Sequence, residues 1–226
     1  AFNNCFSLAS LTIGNSVNTI DDYAFYLCSS LASVNIPNSV TSIGEAVFRQ
    51  CTNLTTVEIG NQITNISKEA FRQCSNLASV NIPDSVTTIS EKAFYECTDL
   101  SSVMIPNSVT TIGENCFFKC QNLKSVLIGN SVLSIGKLSF NYCEELNNLI
   151  IPTTVTDISD YAFSQCIGLS NVVISSNTRQ HGSSIFDSIS YTQGYDQRKL
   201  YYYDTTNETY YDGKLNNDNQ IVKKTP

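Results

Sequence analysis

Apolar residues recur along this chain with a period of 23 residues. Each period begins with a cysteine, which is followed by a leucine, a valine or leucine, and an isoleucine; a second isoleucine and a phenylalanine complete it. One such set comprises Cys51, Leu54, Val57, Ile59, Ile66 and Phe71. Chance does not keep the cysteine column and five apolar columns in phase over seven periods, so the pattern predicts an array of repeats that share one structure.

Each period is predicted to contain one short strand and one short helical segment. Polar and apolar residues alternate in Ser33-Val34-Asn35-Ile36, which indicates a strand, and Pro37 ends it because proline lacks the N–H that a ladder needs. Gly44 permits a turn. Ala70-Phe71 and Cys74 then lie on one face of the predicted helical segment.

One such coil buries too little apolar surface to fold alone, so the coils must stack. Stacking pairs the strands of successive coils in parallel, about 4.8 Å apart. The sequence therefore predicts an α/β solenoid of 23-residue coils, with a parallel sheet on the concave face and short helical segments opposite.

The repeat resembles a known family. Its pattern, C-x-x-L-x-x-V-x-I-P-x-x-V-x-x-I-G-x-x-A-F, is similar to that of the BspA-like (Treponema-type) leucine-rich repeat over residues 1 to about 175. The resemblance implies a right-handed leucine-rich-repeat superhelix. It also implies a cell-surface or secreted adhesin of a host-associated microbe, with an extracellular-matrix protein as a candidate partner, but it transfers no particular ligand because family members differ in their surface residues.

The chain divides into three parts. Residues 1–175 form the predicted solenoid, which starts in the middle of a repeat, so we expect further repeats upstream in a longer chain. Residues 176–190 are a degenerate last repeat, in which Phe186 keeps the phase. Residues 191–226 are rich in Tyr and Asn and are interpreted as a C-terminal cap or tail, because an apolar solenoid end must be shielded from water. Residues 200–203 and 209–211 could form a hairpin there.

Charge and hydropathy exclude two classes of partner. The net charge of −7 and the scattered basic residues argue against nucleic acid, which needs clustered Lys and Arg. No apolar run approaches the roughly 20 residues of a membrane span. No signal peptide is recognisable at the start.

The cysteines are predicted to be buried free thiols. Stacked equivalents would have parallel side chains about 4.8 Å apart, too far and wrongly directed for disulfides. The in-phase residues are Cys5, Cys28, Cys51, Cys74, Cys97, Cys120, Cys143 and Cys166. Cys116 is out of phase, which leaves a disulfide or a reactive thiol there as the alternative to packing.

Nothing in the sequence nominates catalytic, metal-binding or cofactor-binding residues. No C-x-x-C occurs, and the single histidine, His181, falls at a core isoleucine position of the degenerate repeat. Enzymatic activity would require a catalytic domain outside this segment.

The outward residues of the predicted strands form the most informative surface. Their column is polar in its first half and apolar in its second, and it reads Thr12, Asn35, Glu58, Asn81, Met104, Leu127, Ile150 and Val173. We call the last four residues the apolar stripe; it would span about 15 Å. Candidate ligand-binding residues are Glu58, Asn81, Met104, Leu127, Ile150 and Val173.

Two explanations of the apolar stripe compete. Either a foreign partner binds it, or the tyrosine-rich tail or self-association covers it, and the sequence slightly favours cover. The predicted function is accordingly a protein-binding scaffold of the adhesin type, with a structural, self-associating repeat module as the alternative.

Overall fold

The strands are short and occur at the same positions in successive coils. The computed structural model describes residues 1–180, 182–187, 199–215 and 220–224. The strands of this part of the chain are β1 (Thr19–Ile20), β2 (Ser33–Asn35), β3 (Ser42–Ile43), β4 (Thr56–Glu58), β5 (Asn65–Ile66), β6 (Ser79–Asn81), β7 (Thr88–Ile89), β8 (Ser102–Met104), β9 (Thr111–Ile112), β10 (Ser125–Leu127), β11 (Ser134–Ile135), β12 (Asn148–Ile150), β13 (Asp157–Ile158), β14 (Asn171–Ser175), β15 (Arg179–Gln180), β16 (Lys199–Asp204), β17 (Thr209–Leu215) and β18 (Ile221–Lys223).

Two sheets run along the solenoid. The longer has ten described strands in the order β18-β17-β16-β14-β12-β10-β8-β6-β4-β2, and we call it the long sheet. A second sheet of six described strands joins β5, β7, β9, β11, β13 and β15, while β1 pairs with β3. From β2 to β14 the strands pair in parallel, with equivalent residues opposite each other, as Val34 is opposite Val57. The predicted stacking of 23-residue coils is confirmed.

The core consists of columns of like side chains. The central column is a stack of phenylalanine rings from Phe25 to Phe186, with centroids of neighbours 5.1–5.7 Å apart and ring planes within 10° of parallel. The leucine from Leu31 to Leu169 and the valine or isoleucine from Val40 to Val155 are buried in each coil. Each coil therefore buries apolar side chains against both of its neighbours.

The prediction of helical segments opposite the long sheet is wrong. Residues 67–74, like their equivalents, form consecutive tight turns, and no α-helix occurs in the described coils. Alternate N–H groups donate to the carbonyl three residues earlier, at 3.1 Å for Ala70, Arg72 and Cys74. The intervening N–H groups donate to the next coil, at 2.7–3.0 Å for Glu69, Phe71 and Gln73. The described coils thus form a β-solenoid without the α component of the predicted α/β class.

Coil spacing explains why turns replace helices. An α-helix with its side chains is about 10 Å wide, about twice the 4.8 Å between stacked strands. The turns instead hold Glu69 and Gln73 at φ 55° and 60°, in the left-handed region, which breaks any helix there and directs alternate N–H groups to the next coil. The concavity predicted for the long sheet stays a prediction.

The C-terminal residues extend the long sheet. The predicted hairpin is confirmed, because β16 and β17 pair antiparallel with Tyr202 opposite Tyr211. Leu200 and Tyr202 pack against the core, and Ile221 is fully buried. The side chain of Gln180 bonds to both backbone groups of Ile221, at 2.7 and 2.8 Å.

The degenerate repeat is partly described. Ile185 and Phe186 are fully buried, and the Phe186 ring stacks on Phe163 at 5.5 Å. His181 and residues 188–198, 216–219 and 225–226 lie outside the described residues. The role of the tail as a cap is a proposal supported by the packing of β16 and β18 on the last coils.

Candidate functional site

The outward row of the long sheet carries a run of exposed apolar side chains. Met104, Leu127 and Ile150 are 64%, 60% and 66% exposed, although each is flanked in its strand by a buried residue. Val173, the last residue of the apolar stripe, is half-buried. The geometry follows from strand alternation, because residues on either side of an inward residue must point outward.

Strand register brings the predicted ligand-binding residues into one row. Glu58 pairs with Asn81, Met104 with Leu127, and Ile150 with Val173. Glu58 and Asn81 are exposed, so the polar half of the row is as accessible as the apolar half. The structure therefore places all six candidate residues on one face of the long sheet.

A second outward row, polar throughout, runs beside the apolar stripe. It contains Ser102, Ser125, Asn148 and Asn171, and the Asn171 side-chain amide donates to Asn148 Oδ1 at 2.6 Å. The two rows border a depression of about 410 Å³ that extends from Ser102 to Ile150. This surface can bury a narrow apolar ridge and offer hydroxyl and amide groups along one side of it.

The tail lengthens the apolar stripe. Tyr201 in β16 is in register with Val173 in β14, and its side chain is half-buried. The predicted cover of the apolar stripe by the tail is wrong for the strands that the structure describes, because β16 adds to the edge of the sheet and Leu127 keeps its exposure.

Sequence reasoning missed Tyr201 as a member of this row. From Val173 to Tyr201 the chain advances 28 residues, so the 23-residue frame does not reach the tyrosine. The available signal was the alternation in Leu200-Tyr201-Tyr202, which is typical of a strand but does not reveal its partner.

The cysteines are structural. All nine are free, and all except Cys5 are buried, as predicted. In seven coils the thiol also donates to the carbonyl oxygen of a phenylalanine in the preceding coil at 3.1–3.3 Å, as Cys51 does to Phe25. Cys116 packs in the core, which disfavours the disulfide and the reactive thiol considered for it.

Native thiol labelling is expected to modify Cys5 alone. Burial raises the pKa of Cys51 to about 12 and raises the pKa of Cys97 well above its usual value, so the reactive thiolate is scarce. Peptide mapping by mass spectrometry after iodoacetamide treatment would measure this, with guanidinium-unfolded protein as the control in which all nine react. Rapid native labelling of Cys97 or Cys120 would contradict the stacking.

The tight turns opposite the long sheet carry a charged cluster that the sequence analysis did not predict. Glu69 is almost buried, and its two carboxylate oxygens contact Arg49 at 2.7 Å and Arg72 at 2.8 Å. The guanidinium groups lie over Tyr26 and Tyr95, at 5.5 and 4.9 Å from the ring centroids. Since Glu69 contacts arginines from two successive coils, it joins those coils.

Within the described residues, no group of three or more His, Cys, Asp or Glu residues could hold a metal ion. No helix in that part of the chain is long and apolar enough to cross a membrane.

A protein-family model matches most of the chain. A family model described as a BspA type leucine rich repeat region matches in six copies, over residues 1–124 and 87–194. No curated protein matches the chain in sequence.

Solved structures show the same fold. A leucine-rich repeat protein from Treponema pallidum is 26% identical with a TM-score of 0.67, over 83% of this chain and 84% of that one. One from Bacteroides ovatus is 23% identical with a TM-score of 0.66, over 79% of this chain and 57% of that one. A leucine rich cell surface protein from Faecalibacterium prausnitzii is 26% identical with a TM-score of 0.53, over 79% and 65%. The chain spans less than two thirds of the Bacteroides and Faecalibacterium proteins.

Proposed function

Because this chain belongs to the BspA-type leucine-rich repeat family, we propose that it is a non-catalytic, adhesin-type scaffold that binds a protein through the outer face of the long sheet. The scaffold acts at the cell surface or after secretion, and its ligand is a host or extracellular-matrix protein. The candidate contact residues are Glu58, Asn81 and the apolar stripe.

The observation that carries this proposal is the exposure of Met104, Leu127 and Ile150, at 60–66%, in adjacent strands. Single exposed apolar residues are ordinary, but a continuous row on a solvated sheet face is typical of an interaction site. Completing the burial of each side chain would contribute on the order of 1 kcal/mol, since full burial is worth roughly 1.5–3 kcal/mol.

The cell-surface location is supported by one relative. The Faecalibacterium prausnitzii structure is named as a leucine rich cell surface protein, and its TM-score with this chain is 0.53. The family match and the fold are consistent with the same location for this chain. Detection of the protein on intact cells of its source by antibody would test it directly.

Charged substitutions in the apolar stripe are expected to weaken binding to immobilised matrix proteins at least tenfold. Leu127→Asp puts a carboxylate where the ligand would bury the apolar row, and tenfold corresponds to about 1.4 kcal/mol. Surface plasmon resonance against separately immobilised, purified matrix proteins would measure the dissociation constants. Leu133→Asp is the matched control, because Leu133 is 51% exposed and lies outside the stripe.

Three results would contradict the proposal. They are equal loss of binding in Leu133→Asp, unchanged binding in Leu127→Asp, and no binding of the unsubstituted protein to any matrix protein tested. Circular dichroism of each variant separates loss of binding from loss of fold.

A second candidate function is a structural, self-associating module. In that function the exposed row of Met104, Leu127 and Ile150 packs against another copy of the chain. Small-angle scattering over a wide concentration range would distinguish the two functions, since a monomer at the highest concentration dismisses self-association.

A further inference from the structure

We propose that the segment bound by the apolar stripe is a basic amphipathic α-helix lying along the solenoid axis. This inference rests on the proposed function, since it names the class of partner for the same face. It is carried by the spacing, width and charge of the row that runs from Glu58 to Tyr201.

The spacing of the row is set by the sheet. Met104, Leu127, Ile150, Val173 and Tyr201 lie on five neighbouring strands, β8, β10, β12, β14 and β16. Neighbouring strands are about 4.8 Å apart, so the row advances about 19 Å over these strands. A partner that follows the row must present apolar groups at nearly the same interval.

A helix lying along the row meets this requirement. Its apolar ridge, at every third or fourth residue, advances about 5.4 Å per turn, so five ridge residues cover about 22 Å. An extended peptide along the same axis presents side chains on one face about 6.7 Å apart, and over the same number of steps it would cover about 27 Å. The side-chain spacing of the extended peptide differs from the 4.8 Å strand spacing by about 2 Å, whereas that of the helix differs by about half an ångström.

The width of the row disfavours a second copy of the sheet. The neighbouring outward row is polar, with Ser102 and Ser125 beside Met104 and Leu127, so the apolar surface is one residue wide. At about 25 cal/mol per Å², three side chains worth roughly 1.5–3 kcal/mol each correspond to about 180–360 Å² of apolar area, against about 800 Å² per partner in a stable interface. A single helical ridge fits a surface of this width, but two sheets packed face to face would bury the polar rows.

Charge complementarity with Glu58 predicts Lys or Arg residues at one end of the partner helix. Glu58 is exposed in the same outward row, and two strand spacings, about 10 Å, separate it from Met104. Two turns of a helix advance about 11 Å, so a Lys or Arg seven residues from the ridge residue over Met104 would reach Glu58. The net charge of −7 of the chain also favours a basic partner during encounter.

The test uses three fluorescein-labelled synthetic peptides of 21 residues. One has leucines on a helical ridge and lysines at one end, the second has the same composition with the ridge scrambled, and the third alternates the same residues as in a strand. Fluorescence anisotropy with the full chain is expected to give at least tenfold tighter binding for the helical peptide. The circular dichroism of the peptide should gain helix on binding.

Matched variants locate the contact. Leu127→Asp and Ile150→Asp are expected to weaken helical-peptide binding at least tenfold, while Leu133→Asp and Ile167→Asp, which change exposed residues outside the row, should leave it unchanged. Glu58→Lys should weaken it severalfold and reduce its dependence on salt.

Three outcomes would overturn the inference. They are equal affinity for the helical and strand-patterned peptides, equal loss in the matched control variants, and no binding of the helical peptide. If Leu127→Asp abolishes matrix-protein binding while the helical peptide does not bind, the proposed function stands and the helical partner is wrong.

Discussion

Replacing Phe117 by alanine is expected to lower the free energy of unfolding by about 3–5 kcal/mol. The ring is fully buried and stacks on Phe94 at 5.3 Å and on Phe140 at 5.1 Å. Since a solenoid coil contacts only its neighbours, the resulting cavity weakens the interfaces on both sides of this coil. Urea denaturation followed by circular dichroism would measure the change.

Phe118 provides the control for this substitution. It is the next residue along the chain, but its ring is half-buried and stacks on Tyr95 at 4.8 Å in the outer layer. Phe118→Ala should therefore cost about 1 kcal/mol, because less apolar surface is lost, together with the stacked contact to Tyr95 and an edge-on contact to Tyr142. A Phe118→Ala loss as large as that of Phe117→Ala would show that the buried column is not the main source of stability.

Replacing Glu69 by alanine is expected to cost about 2 kcal/mol. The substitution leaves Arg49 and Arg72 without their shared carboxylate and next to each other. Removing one member of a fully buried pair costs about 3–5 kcal/mol, and the smaller value reflects the partial exposure of the guanidinium groups. Thermal or urea unfolding would measure the loss, which salt should reduce by screening the two arginines.

Glu45 is the matched control for Glu69. Its carboxylate is 3.6 Å from Lys68, and both side chains are well exposed. Glu45→Ala should change stability by less than about 0.5 kcal/mol, as is usual for surface ion pairs. If the two substitutions have the same small effect, the Glu69 cluster is a surface feature and does not join the coils.

Much of the interior could be predicted because each column has one chemical type. Cys51, Leu54 and Phe71 recur in every coil, and only coils stacked in register can bury all of them. The outward row from Glu58 to Val173 follows from the same frame, since strand alternation fixes which residues face away from the core.

The tight turns opposite the long sheet could not be predicted from the sequence. Ala70, Phe71 and Cys74 face inward both in a helix and in the observed turns, so their periodicity does not distinguish the two. The choice depends on where alternate N–H groups find carbonyl partners, and those partners lie in the next coil. The hydrophobic pattern of a single coil therefore does not identify these carbonyl partners.

The sequence by itself determined the repeat length, the buried columns and the apolar stripe, because each depends on residue type at a constant spacing. The tertiary structure alone decided that Tyr201 extends the stripe and that Glu69 joins Arg49 and Arg72. These contacts depend on which strand pairs with the sheet edge and on the distance between neighbouring coils. The 28-residue step from Val173 to Tyr201 falls outside the 23-residue frame. Arg49 and Arg72 are 23 residues apart and so in phase, but the frame does not show that Glu69 bridges them.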